Sequence, residues 1–122
     1  MDDVMIGRVM ADMEPDLLEF LRTKVTSFVR WDLIRFFHDN PHTTDTAENV
    51  ARYAGRNAET TKAELEGLAA DGVLTENKLG EMTVYSLPND PTTRDLVRRF
   101  VDASEDRQFR VKAIYYIIQG MR

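Results

Sequence analysis

Between residues 45 and 87, two short helical patterns, each closed by a glycine, run straight into two strand patterns. No other stretch of the chain restricts the fold as much. Asp45 followed by Glu48 reads as a capping pair that opens the first helix. Ala47, Val50, Ala51 and Ala54 then recur on one face, and Gly55 supplies a stop. After Arg56, Asn57 suits the N-cap of a second helix. Thr61, Leu65, Leu68 and Ala69 form its inward face, and Gly72 closes it. About three turn residues separate the two helices, the spacing of a helix-turn-helix. Residues 73–76 and 82–87 alternate and are rich in β-formers, and Asn77-Lys78-Leu79-Gly80-Glu81 between them is turn chemistry. The pattern predicts a β-hairpin with Lys78 at its tip.

The flanks are helical. Val4, Met5, Ile6, Val9, Met10 and Met13 fall near one helical face, and Pro15 suits the first turn of a new helix. Leu17, Leu18, Leu21, Val25 and Phe28 recur at spacings of three and four, and Val29, Leu33, Phe36 and Phe37 continue them. Trp31 and Ile34 lie on a second face, so this stretch packs on two sides. One long helix and two helices broken near Thr26-Ser27 both fit the pattern. Asp39-Asn40-Pro41 ends it. Leu87-Pro88-Asn89-Asp90-Pro91 marks a connection. Beyond it, Thr92 or Thr93 caps a helix carrying Leu96, Val97, Phe100 and Val101. A last stretch holds Phe109, Val111, Ile114, Ile117 and Ile118; Ser104 with Glu105 and Asp106 starts it as a separate helix, or the two are continuous. The organisation expected is a helical arm over 1–26, the motif over 27–87 and C-terminal helices over 88–122, mainly α with a small β-hairpin.

A chain of 122 residues buries enough surface to fold without a disulfide or a metal. It has no cysteine, which excludes thiolate zinc sites, iron–sulfur clusters and Cys nucleophiles. Asp2 and Asp3 open the chain without a following apolar run, unlike a signal peptide. No stretch approaches the ~20 apolar residues of a membrane span. An intracellular, cytoplasmic protein is expected. No phosphate loop, His-Glu-x-x-His or nucleophile elbow occurs, so no enzymatic activity and no cofactor are expected. His38, Asp39 and His42 cluster in sequence, but Pro41 breaks the helix that would bring the histidines onto one face, so no metal site is expected.

The net charge of -5 is uneven. Residues 43–87 hold 4 basic against 8 acidic residues, and residues 88–122 hold 7 basic against 5 acidic. An acidic middle segment argues against strong non-specific affinity for nucleic acid, although a local basic patch can still bind it. Arg94, Arg98, Arg99, Arg107, Arg110 and Lys112 interleave with the last apolar stripe. Their spacing to Asp95, Asp102, Glu105 and Asp106 predicts ion pairs along a charged outer face.

Residues 46–87, TAENVARYAGRNAETTKAELEGLAADGVLTENKLGEMTVYSL, resemble the winged helix-turn-helix of MarR/ArsR-like transcription regulators. The marks are Gly55, Leu65, Leu68, Gly72 and the closing Tyr85-Ser86-Leu87, with residues 27–41 similar to the preceding scaffold helix. The resemblance implies a winged helix that binds duplex DNA, its second helix in the major groove. By position, Asn57, Glu59, Thr60, Lys62 and Ala63 would meet base edges, Arg56 a backbone phosphate, and Lys78 phosphates or the minor groove. It also implies a homodimer held by the terminal helices, with the run Ile114-Tyr115-Tyr116-Ile117-Ile118 packed on the N-terminal helices within one subunit or across a two-fold. An effector is unknown; Trp31, Tyr115 and Tyr116 could line a pocket for one. The residues also support another reading. Glu59, Glu64 and Glu66 face only Lys62 on the second helix, as on a module that docks a basic protein surface.

Overall fold

The computed structural model describes residues 13–121. The helix expected over residues 4–13 lies outside them but for Met13. Among the described residues there are six helices and three strands: α1 (Pro15–Thr23), α2 (Phe28–Asp39), β1 (Thr44–Thr46), α3 (Ala47–Ala54), α4 (Ala58–Ala70), β2 (Thr75–Leu79), β3 (Met82–Ser86), α5 (Pro91–Ala103) and α6 (Arg107–Gly120).

Local chemistry sets the helix boundaries. Pro15 occupies the first turn of α1, where its missing N–H costs nothing. The apolar run of residues 17–37 is two helices rather than one. Ser27 separates them, its hydroxyl accepting from the backbone N–H of Arg30 at 3.1 Å to cap α2. Asn57 caps α4 as its sequence position predicts, accepting from the N–H of Thr60 at 3.0 Å. The cap of α3 falls one residue later than expected, on Thr46, which accepts from Asn49 at 3.3 Å. Asp45 instead accepts from the Thr46 N–H and the Asn49 side-chain amide, both at 2.8 Å. For α5 the cap falls earlier than Thr92 or Thr93. Asp90 accepts from both threonine N–H groups, and Pro91 fills the first turn. Of Ser104, Glu105 and Asp106, it is Asp106 that caps α6, accepting from the Phe109 N–H at 3.2 Å. So α5 and α6 are separate helices.

The sheet is antiparallel, in the order β1-β3-β2. The sequence pattern does not announce β1, whose three residues pair with Val84, Tyr85 and Ser86. The hairpin is also tighter than expected. Asn77, Lys78 and Leu79 stay in the ladder opposite Val84, Thr83 and Met82, and only Gly80-Glu81 turn the chain. Gly80 sits at φ +63°, which makes a two-residue connection possible. Lys78 is therefore a strand residue one pair back from the turn, not its tip.

One core joins all three segments. Phe20, Leu21 and Val25 from the first meet Leu33, Phe37, Val50, Leu65 and Leu68 from the second and Val97, Phe100 and Ile117 from the third. Phe100, fully buried, has rings at 6.0 Å from Phe20, 5.3 Å from Trp31 and 6.1 Å from Phe109. Arg99 binds α5 to the start of α1, pairing with Asp16 and Glu14 at 2.8 Å and with Asp95 at 3.4 Å. The architecture is a winged helix, α3 and α4 forming its helix-turn-helix and β2–β3 its wing.

Candidate nucleic-acid interface

The geometry of the site begins with how α4 is held. Thr61, Leu65 and Leu68 recur at helical spacing and are fully buried. Beside them, Arg30 of α2 reaches across. Its guanidinium lies 2.8 Å from Asp71 just past the end of α4, 3.6 Å from Glu64 and 3.2 Å from the Lys24 carbonyl. The Ser27 hydroxyl donates to Glu64. Gly67 is what lets the guanidinium so close. A methyl group there would collide with the Arg30 Nη2 and stand 3.3 Å from its Cζ. Glu64 therefore turns inward and does not share a solvated acidic face with Glu59 and Glu66, as its sequence position had suggested.

The outer face of α4 is different in kind. Glu59, Lys62, Ala63 and Glu66 share one side at spacings of three and four, and all are exposed, as is Thr60. Asn57 is exposed too, with its side-chain oxygen committed to the cap. Arg56, in the turn before α4, pairs with Asp32 of α2, its Nε 3.0 Å from the carboxylate.

Lys62 lines a cleft of about 240 Å³ together with Thr46, Ala47 and Glu48 at the start of α3 and Glu81, Met82, Thr83 and Tyr85 of the wing. Lys78 stands directly across the ladder from Thr83, and residues paired across strands share a face of the sheet. Thr83, the ladder partner of Lys78, thus lines the same cleft as Lys62, while Arg56 is held by Asp32. The cleft's surroundings are acidic as well. Burial raises the pKa of the Tyr85 phenol far above its usual value, helped by its hydrogen bond to Glu76 and by the charges of Glu76, Glu66 and Glu48. Tyr85 thus stays neutral and closes the inner wall.

The tail arginines are largely engaged. Arg98 pairs with Asp95 at 2.6 Å and Asp102 at 3.2 Å, at the helical spacings expected. Arg94 donates to the Pro88 carbonyl, and Arg110 to those of Ser104 and Glu105. The partners of Arg99 on α1 were not predictable from helical spacing, because they lie over eighty residues away in sequence.

At the far end, α6 is apolar on two sides. Phe109, Ala113 and Ile117 enter the core. Val111, Ile114, Ile118 and Met121 form a second stripe that is 49%, 40%, 47% and 64% exposed. Among the described residues no helix is long and apolar enough to cross a membrane.

No family model matches the chain, and no curated protein does. Among solved structures it is similar to the homodimeric winged helix-turn-helix DNA-binding domain (fragment 1–100) of a possible ArsR-family transcriptional regulator from Mycobacterium bovis. The TM-score is 0.56 and the identity 17%, over 86% of this chain and 89% of that one. The likeness is one of fold.

Proposed function

We propose that this chain is a DNA-binding transcription regulator of the ArsR-like kind, a cytoplasmic binding protein rather than an enzyme, working as a homodimer. The observation that carries the reading is the exposed outer side of α4, with Lys62 in a cleft that Thr83, the ladder partner of Lys78 on the wing, also lines. The solved structure it is similar to is itself described as a homodimeric DNA-binding domain. In this reading α4 lies in the major groove. Lys62 and Lys78 neutralise phosphates. Glu59 accepts from a cytosine amino group, Thr60 hydrogen-bonds a base edge, and Ala63 touches a thymine methyl. With its oxygen used in capping, Asn57 offers its amide N–H groups to a base or phosphate. Arg56 reaches a phosphate by exchanging Asp32 for it. That exchange is cheap because an exposed ion pair contributes at most about 1 kcal/mol.

The dimer forms through the second stripe of α6, since a contiguous apolar surface of this kind is costly in water. A two-fold then presents two α4 helices to half-sites about 34 Å apart. Light scattering at tens of micromolar tests this: a dimer mass is expected, and a monomer mass overturns it.

The charges around the cleft favour a second reading. Glu48, Glu59, Glu66, Glu76 and Glu81 outnumber the lysines there, which suits a winged helix that docks a basic protein surface. Two variants separate the readings. On a duplex selected for tight binding, Lys62→Glu weakens binding to every sequence, and Asn57→Ala weakens it mainly on the selected one. If both bind as the parent does, α4 is not the DNA-reading element.

A further inference from the structure

The outer edge of β2 is open. Among the described residues the sheet ends there, since the order β1-β3-β2 gives β2 one neighbour. Glu76, Asn77, Lys78 and Leu79 are all exposed. The hairpin register settles which backbone groups face outward. Leu79 and Met82 flank the two-residue turn as a hydrogen-bonded pair. Bonded and non-bonded pairs alternate along an antiparallel ladder, so Asn77 and Thr75 also bond to β3, opposite Val84 and Ser86. The N–H and C=O groups of Glu76 and Lys78 therefore point away from β3. Beside this edge runs an open groove of about 570 Å³, lined by Glu66, Ala69 and Ala70 of α4 and by Leu74, Thr75 and Glu76. An open edge takes up another strand unless a charge guards it. Lys78 is such a guard, but Glu76, on the same face two residues earlier, carries the opposite charge.

We infer that the β2 edges of two copies of this chain pair with each other, antiparallel about a two-fold at Asn77. That register sets Glu76 against the partner's Lys78 and Lys78 against the partner's Glu76. These are the residues whose backbone groups face outward, so each opposed pair closes two N–H···O=C bonds. Directly opposed side chains lie on one face, so the same register makes two Glu–Lys ion pairs. A slip of two residues either way sets Glu76 against Glu76 or Lys78 against Lys78. A slip of one matches outward groups with inward ones. The register also brings the partner's Leu79, 55% exposed, against Thr75 at the groove. Glu76 is already steadied by its hydrogen bond with Tyr85. A five-residue edge joins less surface than a stable dimer needs, so the contact is weak and separate from the α6 stripe. A wing paired in this way has its Lys78 committed, so the pairing and a phosphate contact by Lys78 exclude each other. The inference does not rest on what α4 binds, and its test uses no DNA.

The amide signals of the full chain are followed in a nitrogen-15 correlation spectrum from about 20 μM to about 2 mM. The Glu76 and Lys78 signals should shift together along one curve, with a Kd on the order of 0.3 mM. The Asn77 amide, bonded to β3, should move less. Lys78→Glu sets like charges opposite each other twice and should weaken the self-association about tenfold. Glu76→Lys should do the same. An equimolar mixture of the two variants restores both ion pairs, and should associate about tenfold more tightly than either variant alone. Lys78→Glu, at an exposed position, decides alone if Glu76→Lys does not fold. Glu76 and Lys78 signals that do not depend on concentration overturn the assignment, even if α6 signals do. So does a Lys78→Glu chain that associates as the parent does, or a mixture no tighter than its components.

Discussion

The two sides of α4 obey different rules. Its inner side is closed: three buried side chains meet the core, and Arg30 slots over Gly67 onto Glu64 and Asp71. Its outer side is open, with Glu59, Lys62, Ala63 and Glu66 in solvent. A helix built this way has its position fixed by one face while the other is free to vary in chemistry. The contrast teaches where substitutions should act: on stability inside, on binding outside.

Leu65→Ala is expected to have the largest effect on the inner side. Emptying a fully buried leucine site should lower unfolding free energy by about 2–5 kcal/mol, read by urea denaturation. A loss under about 0.5 kcal/mol would mean that α4 is not seated as described. Next comes a double-mutant cycle on the Arg30–Gly67 contact. Gly67→Ala alone should destabilise by about 1 kcal/mol, because the displaced guanidinium loses its partners faster than the helix gains from alanine. In an Arg30→Ala background the same change should be neutral or stabilising by up to about 1 kcal/mol. Additive effects would deny the close approach.

Asn57→Ala sits on the boundary between the two sides. Losing the cap should cost about 1 kcal/mol, so its DNA-binding effect must be measured at a temperature where the variant is folded. Arg99 provides a control remote from α4. Its hydrogen bond holds the Asp16 carboxyl near about 2, below the ordinary 3.8. A carboxyl depressed on folding adds stability above pH 4, and that stability is lost as pH falls through about 2. Arg99→Gln should therefore be less stable than the parent above pH 4, the difference closing toward pH 2 in acid titrations followed by circular dichroism. The smallest stability effect belongs to the outer side: Lys62→Glu should stay within about 0.5 kcal/mol of the parent.

What the sequence made legible follows the same division. The inward residues of α4 and its cap at Asn57 were readable because helical period and capping chemistry agree there. The outward residues were readable as the complement of that period. The partners were not. Ser27 and Arg30 meet Glu64 and Asp71 from 37 and 41 residues away, and Asp32 meets Arg56 from 24 away. No local pattern encodes such pairs, so Glu64 was read as solvated and Arg56 as a contact to phosphate alone. Boundaries slipped where neighbours compete for one task. Asp45 and Thr46 can both cap, and so can Asp90 and the two threonines after it. A three-residue strand such as β1 is too short to show a period.

The most direct test of the proposed outer face is fluorescence anisotropy against random duplex DNA at about 50 and 200 mM salt. With Lys62, Lys78 and Arg56 on phosphates in each of two protomers, affinity should be micromolar or tighter at the lower salt. It should fall on the order of a thousandfold at the higher. Absence of binding at about 50 mM, or affinity indifferent to salt, would contradict the DNA reading and leave the acidic surface to a protein partner.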